Sequence, residues 1–367
     1  MQYPLNPGLR VLLAPLSILY GAGVLIRNTC FEWGIFRSRS FPFPVISVGN
    51  ITVGGTGKTP HVEYIVSLLR EKFGVAVLSR GYKRKTRGFA VVSTESGVDE
   101  VGDEPLQMKR KFPDVEVAVD GNRVRGIGKL CRYSSGLQAF VLDDAFQHRW
   151  VTPGISVLLI DYNRQLKDDM LLPAGSLREF ISAKKRAVIV VVTKCPAGIK
   201  PIERRIITKD LNLFAWQSLY FSTFDYGEPR QVFSQGMPFP EREIMKSEKA
   251  RILMVTGIVS PRPLKKHLRG ISPRITQLVF PDHHRFRKRD IARIREVWDK
   301  MEGKLKVLVT TEKDAVRLRQ TAGMDDEIKK HMYYIPVTVK FIDDEGGSFN
   351  NKIIDYVGKN KRNHILC

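Results

Sequence analysis

One stretch constrains the fold of this chain more than any other: the glycine-rich run GNITVGGTGKTP at residues 49–60. It follows an apolar run, Pro44 to Val48, that predicts a buried strand. It precedes apolar residues at helical spacing between His61 and Lys72. A strand, a glycine-rich turn and a Lys-Thr pair that opens a helix form the context of a phosphate-binding loop. The sequence therefore predicts a nucleotide-binding α/β unit built around this loop.

Both the backbone and the side chains of this loop are predicted to hold phosphate. Glycines let amide groups turn toward a phosphate, and the helix N-terminus adds a partial positive charge. We expect Lys58 to reach the β- and γ-phosphates of ATP and the Thr59 hydroxyl to bind Mg²⁺. The residues predicted to contact the nucleotide within the loop are Thr52, Val53, Gly54, Gly55, Thr56, Gly57, Lys58 and Thr59.

The loop departs from two known patterns. The strict pattern G-x4-G-K-[ST] needs glycine where this chain has Thr52. The loop of the partition ATPases carries a signature lysine that would fall at Val53. A glycine-rich turn without a ligand is the alternative, but Lys58 and Thr59 follow the strand at the position that phosphate binding requires.

The chain of 367 residues is long enough for two α/β units of ordinary size. It has 60 Lys and Arg against 38 Asp and Glu, a formal net charge of +22. This excess predicts an anionic partner, which is a nucleic acid, an acidic lipid surface or a phosphorylated substrate. No nucleic-acid-binding motif accompanies the basic residues, so we expect no nucleic-acid partner; a solvated basic surface is the alternative. The four cysteines form no C-x-x-C pair, which predicts neither a zinc site nor a disulfide framework.

The most apolar segment lies near the N-terminus, from Leu9 to Ile26. It lacks the charge pattern and cleavage site of a signal peptide. As a membrane span it falls short of about 20 clean apolar residues, and it contains Arg10 and Pro15. We expect an amphipathic helix within residues 1–30 that lies in a membrane interface, with flanking arginines such as Arg27 meeting lipid phosphates. A buried N-terminal helix is the alternative.

A second nucleotide-binding signal follows the loop in the chain. An apolar run from Gln138 ends in Asp143 and Asp144. A strand that ends in aspartate is where phosphate-loop folds place the carboxylate directed at Mg²⁺. A further apolar run ends at Thr193-Lys194-Cys195, where the guanine-recognising pattern N-K-x-D would begin. Its Asn and Asp are missing, which argues against a GTPase.

The order of predicted elements indicates an α/β protein of two lobes. The first is a P-loop NTPase-like lobe with a parallel sheet, and the second is a smaller α/β lobe. We expect a β-hairpin hinge around Gly227-Glu228-Pro229, where the alternation of strands and helices stops. The predicted boundaries are 1–30 for the membrane-associated helix, 31–210 for the first lobe, 211–235 for the hinge, 236–345 for the second lobe and 346–367 for a basic tail, weakly ordered from Lys352.

Six motifs in this order resemble one family, the tetraacyldisaccharide 4′-kinases of lipid A biosynthesis. They are VGNITVGGTGKTP, LSRGY, GDEP, LDDAFQH, LLPAGSLRE and FPDHHRF, and the resemblance covers roughly residues 5–345. Thr52 belongs to the loop of that family, so its departure from the strict pattern favours the resemblance.

The resemblance implies a reaction and a location. The reaction is ATP- and Mg²⁺-dependent phosphorylation of the 4′-hydroxyl of a tetraacylated glucosamine disaccharide 1-phosphate, which forms lipid IVA. The location is the cytoplasmic face of the bacterial inner membrane, on an anionic bilayer surface. We expect the chain to act there as a monomer.

The resemblance also implies roles for individual residues. Asp103 of the GDEP motif matches the general base for the sugar hydroxyl, and His283 matches its partner in an Asp–His pair. Glu104 is a candidate for assisting metal or substrate binding. The predicted metal ligands are Thr59, Asp143, Asp144 and Glu179, and the residues predicted to contact the nucleotide or the substrate phosphate outside the loop are Arg123 and Arg125.

Alternatives remain open at this stage. Asp103 also suits the capping of a helix N-terminus, and His283 with His284 also suits a turn after Pro281. On the two-lobe prediction Asp103 and His283 lie in different lobes, so an open, ligand-free form is expected to hold them apart. Two other classes of protein fit parts of the sequence: a partition- or metal-insertion-type P-loop ATPase switch, and a membrane-surface or nucleic-acid binding module with a vestigial loop.

Overall fold

The structure, a computed structural model, describes residues 6–164 and 166–360. The first part of the chain contains, in order, α1 (Pro7–Glu32), β1 (Val45–Gly49), α2 (Lys58–Arg70), β2 (Val75–Ser79), β3 (Ala90–Val91), α3 (Val98–Val101), α4 (Asp103–Lys111), β4 (Glu116–Val119), α5 (Arg123–Tyr133), β5 (Ala139–Asp143), β6 (Ile155–Asp161), β7 (Ile189–Thr193), α6 (Pro201–Leu211) and β8 (Ser218–Tyr226).

The remaining elements are β9 (Arg230–Gln231), α7 (Arg242–Ser247), β10 (Arg251–Thr256), α8 (Arg262–Arg269), β11 (Ile275–Val279), α9 (Lys288–Lys300), β12 (Lys306–Thr311), α10 (Glu312–Arg319), α11 (Asp326–Lys330), β13 (Met332–Ile335), β14 (Val337–Phe341) and α12 (Gly346–Lys359). Short 3₁₀ turns lie at Leu166–Asp168, Ile181–Arg186 and Ile342–Asp344.

These strands form two separate sheets. The larger has the order β14-β8-β7-β6-β1-β5-β2-β4-β3, and the smaller has the order β11-β10-β12-β13-β9. Their central strands run parallel, and antiparallel pairing is confined to β3, β9 and β14 at the edges. Val45 belongs to the larger sheet and Val307 to the smaller. The prediction of two α/β lobes with a parallel sheet around the phosphate loop is confirmed.

The connection between the lobes differs from the expected hairpin. Strand β8 pairs with β7 and β14 in the larger sheet, whereas β9 pairs with β13 in the smaller one. The turn at Gly227 therefore carries the chain out of one sheet and into the other. The chain returns at Pro336, beside the first crossing, where the Gly227 N–H donates to the Pro336 carbonyl over 3.0 Å. The hairpin prediction is wrong because local turn chemistry does not reveal a strand partner that follows 111 residues later (Val337 pairs with Tyr226).

The prediction of a basic tail from residue 346, weakly ordered from Lys352, is also wrong as far as Lys359. Helix α12 covers Gly346–Lys359 and packs Phe349, Ile353 and Val357 into the core of the larger sheet. These residues recur every four positions, so they form one buried stripe, and the basic residues of the segment occupy the other faces. The first lobe thus includes residues on both sides of the second. Residues 361–367 lie outside the described residues.

Helix α1 exposes its apolar residues and buries small ones. The buried stripe toward the protein consists of Ser17, Gly21 and Val24, with Phe31 further along. A Cβ atom on Gly21 would lie 2.9 Å from Leu171, so a small residue is needed for this close packing. The exposed residues of the helix include Val11, Leu12, Leu16, Ile18, Leu19, Leu25 and Ile26. This arrangement is the reverse of a helix that packs on a soluble core. The helix is long and apolar enough to cross a membrane.

Helix α2 positions the phosphate loop on the larger sheet. The predicted face of this helix, Val62, Ile65, Val66 and Leu69, is fully buried. Its N-cap is Gly57, which has a φ of +85° and lies so close to Phe224 that a Cβ atom would be 2.6 Å from the ring. Glycine is required there by both conformation and space.

The buried imidazole of His61 also anchors this helix. Its Nδ1 lies 2.8 Å from the Gly57 carbonyl, which only accepts, so Nδ1 carries the proton and Nε2 accepts from the Ser222 hydroxyl over 3.0 Å. Burial lowers the pKa of His61 to about 4.

We predict that this histidine makes the fold sensitive to acid. The folded pKa lies below the ordinary value of 6.5, so the stabilisation is complete at neutral pH and is lost as the pH falls through 6.5 toward 4. The contribution to the free energy of unfolding is about 2 kcal/mol between pH 7 and pH 5. Urea unfolding at both pH values should show a smaller difference for His61→Asn than for the wild type. The control His331→Asn, in the second lobe, should keep the wild-type difference; an unchanged difference in His61→Asn would contradict the assignment.

Candidate active site

The phosphate loop is held in place by side chains at neighbouring strand ends. The Thr193 hydroxyl donates to the Thr56 carbonyl over 2.9 Å. Lys194 donates to the Gly55 carbonyl and pairs with Asp161 over 2.6 Å. Arg164 donates to the Val53 carbonyl. Carbonyl oxygens repel a phosphate. Because these three side chains hold three loop carbonyls toward the flanking strands, the loop amides can face the phosphate.

The loop lysine faces the acidic end of β5. Lys58 Nζ lies 3.4 Å from Asn50 Oδ1 and 3.6 Å from Asp144 Oδ1. Asp144 is also paired with Arg178 over 3.1 Å. Burial alone would raise the pKa of Asp144, but the charges of Lys58 and Arg178 outweigh it and hold the pKa below its usual value.

The neighbouring Asp143 has the opposite electrostatic environment. Burial and the adjacent charge of Asp144 raise the pKa of Asp143, although its Oδ2 accepts from the Ser79 hydroxyl over 3.1 Å. Its Oδ1 is buried and has no hydrogen-bond partner among the described residues. This oxygen is next to a second carboxylate, and its strand pairs with β1, which leads into the phosphate loop and Thr59. A buried carboxylate oxygen without a partner in this position suits a hard cation such as Mg²⁺.

The structure does not bring Glu179 into this set of oxygens. Its buried carboxylate is paired with Arg27 over 3.4 Å and with Arg186. Arg27 also donates to the Gln147 carbonyl. Glu179 therefore joins α1 to the first lobe through Arg27, and its negative charge is already compensated by the two arginines.

The two predicted arginines at the start of α5, Arg123 and Arg125, differ in their surroundings. Arg123 is buried and donates to the Asp120 carbonyl over 3.1 Å and to the Asp143 carbonyl over 3.2 Å. Burial lowers the pKa of Arg123 to about 10. Arg125 instead donates two hydrogen bonds, of 2.9 and 2.7 Å, to the Asp120 carboxylate. Arg123 thus supports the end of β5 beside the phosphate loop, whereas the guanidinium of Arg125 is engaged by Asp120.

The predicted Asp–His pair is assembled across the two lobes. Asp103 begins α4 in the first lobe, and His283 lies in the loop between β11 and α9 of the second. His283 Nδ1 lies 3.1 Å from Asp103 Oδ2. The backbone of His283 has a φ of +57°, which is unusual for a residue other than glycine and typical of functional positions. The two side chains thus lie within hydrogen-bond reach of each other, and the Tyr82 ring packs edge-on against the histidine with centroids 5.0 Å apart.

Two basic residues of α10 complete this cluster, and sequence analysis missed both. Arg317 pairs with Asp103 Oδ2 and lies 3.3 Å from His283 Nδ1. Lys313 Nζ lies 2.8 Å from Glu104 Oε1 and 2.9 Å from His283 Nε2. The available signal was the run TTEKDAVR, in which a lysine and an arginine four residues apart share one face at a helix N-terminus.

These contacts fix the protonation pattern of the pair. An ammonium group only donates, so His283 Nε2 accepts from Lys313, and the Nδ1 proton points at the Asp103 carboxylate 3.1 Å away. The Arg317 guanidinium, 3.3 Å from Nδ1, also only donates, so it bonds to the Asp103 carboxylate and not to the imidazole. Burial would raise the pKa of Asp103, but the hydrogen bond from His283 and the charges of Lys313 and Arg317 outweigh it, so the pKa lies well below its usual range. Burial raises the pKa of the adjacent Glu104.

The carboxylates and the imidazole of this cluster also lie close enough to bind a metal ion. The ligand atoms of Asp103, Glu104 and His283 are within 4.8 Å of one another. The ammonium of Lys313 contacts two of the three groups directly. A metal ion would have to displace that ammonium, so the cation of this cluster is the lysine itself.

The geometry around the phosphate loop identifies a class of nucleotide-binding protein. A lysine and a threonine that open a helix, opposite two carboxylates at a neighbouring strand end, are the phosphate-binding arrangement of the P-loop class. The first lobe of this chain is of that class, and the second lobe contributes His283, Lys313 and Arg317 to a cluster beside it.

Comparisons with known proteins identify the family. The sequence model of the tetraacyldisaccharide-1-P 4′-kinases, LpxK, matches residues 9–357, and the chain belongs to this family. The tetraacyldisaccharide 4′-kinase of Phocaeicola vulgatus is 48% identical over 353 residues, 96% of each chain. That of Flavobacterium johnsoniae is 41% identical over 352 residues, 96% of this chain and 98% of the relative.

A solved structure shares the fold over nearly the whole chain. It is a crystal structure of LpxK from Aquifex aeolicus in complex with ATP, 29% identical, with a TM-score of 0.72. The similarity covers 95% of this chain and 99% of that one. Both lobes are therefore common to the two proteins.

We predict that Arg317, together with the hydrogen bond from His283 and the charge of Lys313, helps to hold the pKa of Asp103 low and so contributes to the acidic limit of activity. Removing the guanidinium in Arg317→Met should raise the pKa of Asp103, and the acidic limb of kcat/KM should move to higher pH by about one unit or more. Arg317→Lys, which keeps the charge, should restore most of the profile. Arg319→Met on the same helix is the matched control, because that guanidinium binds the Val232 carbonyl. An acidic limb that stays in place in a folded Arg317→Met enzyme would contradict the prediction.

Proposed function

We propose that the chain transfers the γ-phosphoryl group of ATP to the 4′-hydroxyl of a tetraacylated glucosamine disaccharide 1-phosphate, with Mg²⁺ as cofactor. The observation that carries this proposal is the contact between Asp103 and His283 across the lobes, in a chain that also has a phosphate loop. A hydrolytic switch needs no such pair, whereas transfer to a sugar hydroxyl needs a group that orients the hydroxyl and accepts its proton. The proposal agrees with the names of the relatives.

The first lobe would hold the donor. Lys58 and the loop amides bind the β- and γ-phosphates and neutralise the charge that grows there in the transition state. The Thr59 hydroxyl and the Asp143 and Asp144 carboxylates would hold Mg²⁺, which would neutralise part of the phosphate charge. The buried Oδ1 of Asp143 supports this assignment, since among the described residues it has no other partner.

The Asp–His pair would receive the acceptor. The low pKa of Asp103 makes it a weak base, but a strong one is not needed. Phosphoryl transfer passes through a loose transition state, in which the bond to ADP is largely broken before the acceptor hydroxyl bonds to phosphorus, so the hydroxyl loses its proton late. Asp103 therefore orients the hydroxyl and takes the proton as the new P–O bond forms. His283 and Arg317 hold the carboxylate in place, and Lys313 keeps the imidazole in the tautomer that donates to it.

We predict that Lys58→Ala abolishes transfer without unfolding the protein. Incubation with labelled ATP, Mg²⁺ and the disaccharide 1-phosphate should give labelled lipid with the wild type, and the variant should lose at least about a thousandfold in kcat, because the lost charge acts in the transition state. Lys72→Ala, just beyond the exposed end of α2, is the control and should keep full activity. Strong ATP hydrolysis without transfer to lipid would instead favour the ATPase switch.

We also propose that α1 attaches the enzyme to the cytoplasmic face of the inner membrane. The support is the reversed pattern of the helix, in which Ser17 and Gly21 face the protein while leucines and isoleucines face outward. A water-exposed apolar surface of this kind is typical of a membrane contact. ATP and an acylated acceptor meet at the cytoplasmic surface of that membrane, which explains the need for such a contact.

We predict that polar substitutions on the outer face of α1 release the enzyme. Leu12→Ser, Leu16→Ser and Leu19→Ser together should raise its yield in the soluble fraction and lower turnover on bilayer-embedded acceptor several-fold, with the melting temperature unchanged. Ile202→Ser with Ile206→Ser, which are exposed on α6, form the matched control. A large fall in melting temperature for the α1 variant would show instead that the helix belongs to the core.

A further inference from the structure

Helix α8 of the second lobe carries a stripe of basic side chains on its outer face. Its apolar residues Leu264 and Leu268 are buried against the smaller sheet, so the other side of the helix faces outward. That side holds four basic residues at helical spacing, which are Arg262, Lys265, Lys266 and Arg269. Lys265 is half-buried and the other three are exposed. These four residues, the basic stripe, extend over about 10 Å along the helix axis.

Acidic residues do not compensate the charge of the basic stripe. Within residues 6–164 and 166–360, the structure shows no carboxylate in ion-pair contact with any of its four side chains. Residues 249–281 contain no Asp or Glu at all, in a chain that has 38 acids among 367 residues. The neighbouring α9 differs, because its Arg295 is paired with Asp299 over 2.8 Å and its Lys300 with Glu296 over 2.5 Å. The basic stripe is therefore available to an external anionic partner.

The beginning of α8 lies close to the phosphate loop of the other lobe. Residues 257–261 form the loop that connects β10 to α8. Val259 in this loop is exposed, and a Cβ atom on Gly55 of the phosphate loop would lie 3.9 Å from its Cγ2. The second lobe therefore approaches the phosphate loop three residues before the basic stripe begins at Arg262.

Helix α1 adjoins the same phosphate loop from the first lobe. The Ser17 hydroxyl donates to the Leu171 carbonyl over 3.0 Å and accepts from the Ala174 N–H over 2.9 Å. The same segment continues to Ser176, whose carbonyl accepts from the Val53 N–H of the phosphate loop over 2.8 Å. The helix proposed to contact the membrane and the helix that carries the basic stripe are therefore both connected to the phosphate loop, one in each lobe.

We infer that the basic stripe is a second membrane contact, which binds anionic lipid head groups and holds the second lobe at the bilayer surface. The inference rests on the proposed function and on the attachment proposed for α1. That attachment involves only the first lobe, whereas His283, Lys313 and Arg317 belong to the second. A bilayer presents phosphates along its whole surface, so it can meet cations spread over about 10 Å, which one small anion cannot. Anionic lipid would thereby keep both lobes at the surface that contains the acylated acceptor.

The test measures how the full chain binds to vesicles and how fast it phosphorylates an acceptor embedded in them. The vesicles consist of neutral phosphatidylcholine, either alone or with about one-third phosphatidylglycerol, at about 0.05 M and about 0.5 M salt. Turnover is measured in the anionic vesicles and, for comparison, in neutral detergent micelles. Binding to a short duplex DNA is measured in parallel, because a nucleic acid is the other large anion that a basic helix face could bind.

The stripe variant is Lys266→Gln with Arg269→Gln, which removes two exposed charges of α8. The matched control is Arg293→Gln with Lys304→Gln, which also removes one arginine and one lysine. Both control residues are exposed, on α9 and just beyond its end, and neither has an ion-pair partner among the described residues. Helix α9 packs on the opposite face of the smaller sheet from α8, so the control leaves the proposed contact intact.

The expected result is a loss that is specific to anionic vesicles. The wild type and the control should bind anionic vesicles more tightly than neutral ones, and the difference should shrink at the higher salt concentration. The stripe variant should bind anionic vesicles at least about tenfold more weakly, because each basic residue at such a surface contributes about fivefold. Its turnover there should fall several-fold. Its melting temperature, its binding to neutral vesicles and its turnover in micelles should match those of the wild type.

Four other outcomes would overturn the inference. The stripe variant could keep the wild-type preference for anionic vesicles, or the control could lose as much binding, which would assign the preference to net charge. An equal loss of turnover in micelles would give the stripe a role in the reaction and not at the membrane. A loss of DNA binding without a loss of vesicle binding would identify nucleic acid as the partner. Failure of the wild type to phosphorylate the acceptor in either medium would overturn the proposed function instead, since vesicle binding is measured without acceptor.

Discussion

The contact of Asp103 with Arg317 and His283 is the interaction on which the rest of this structure depends. It is buried, it joins the two lobes, and it sets the charge of the carboxylate proposed to receive the acceptor hydroxyl. Removing one partner of such a pair leaves an uncompensated buried charge, which is strongly unfavourable. Helices α4 and α10, which carry the aspartate and the arginine, pack directly against each other. The cluster around Asp103 is therefore part of the lobe interface. The carboxylate proposed to receive the acceptor hydroxyl has its partners only where the two lobes meet.

A second buried network ties the donor side to the same interface. Lys111 on α4 lies 2.5 Å from Glu63 on the helix of the phosphate loop and 3.3 Å from Glu312 at the start of α10. Burial and the charge of Glu312 raise the pKa of Glu63 to about 7. The start of α10 is thus joined directly to the helix that holds Asp103 and, through Lys111, to the helix that holds Lys58. A movement of the second lobe would therefore change the position of α10 relative to both helices at once. This connection is a physical route for coupling the donor side of the site to the acceptor side.

Sequence analysis predicted the features that local patterns encode. The glycine run, the apolar strand ending in Asp143 and the spacing of α2 each carry their structure within a few residues, and these features are observed. The hairpin prediction was wrong because β8 pairs with β14, which lies far along the chain. The prediction of a weakly ordered tail was wrong because polar residues stand between the buried apolar residues of α12 in the sequence and hide their helical spacing. Arg317 and Lys313 were missed because only the packing of α10 on α4 brings them to Asp103, and two basic residues on a helix otherwise indicate a solvated face.

On the proposed mechanism, the low pKa of Asp103 and the position of Lys313 together limit the hydrolysis of ATP by water. A strongly basic carboxylate beside the phosphate loop would also activate water, whereas a carboxylate stabilised by Arg317 gains little from taking a proton early. It becomes useful only when a hydroxyl is held in line by other contacts, since orientation then supplies what basicity does not. A sugar held by the protein meets that condition, and a free water molecule does not. On the proposed mechanism, the same ion pairs that join the lobes favour transfer to a bound acceptor over hydrolysis.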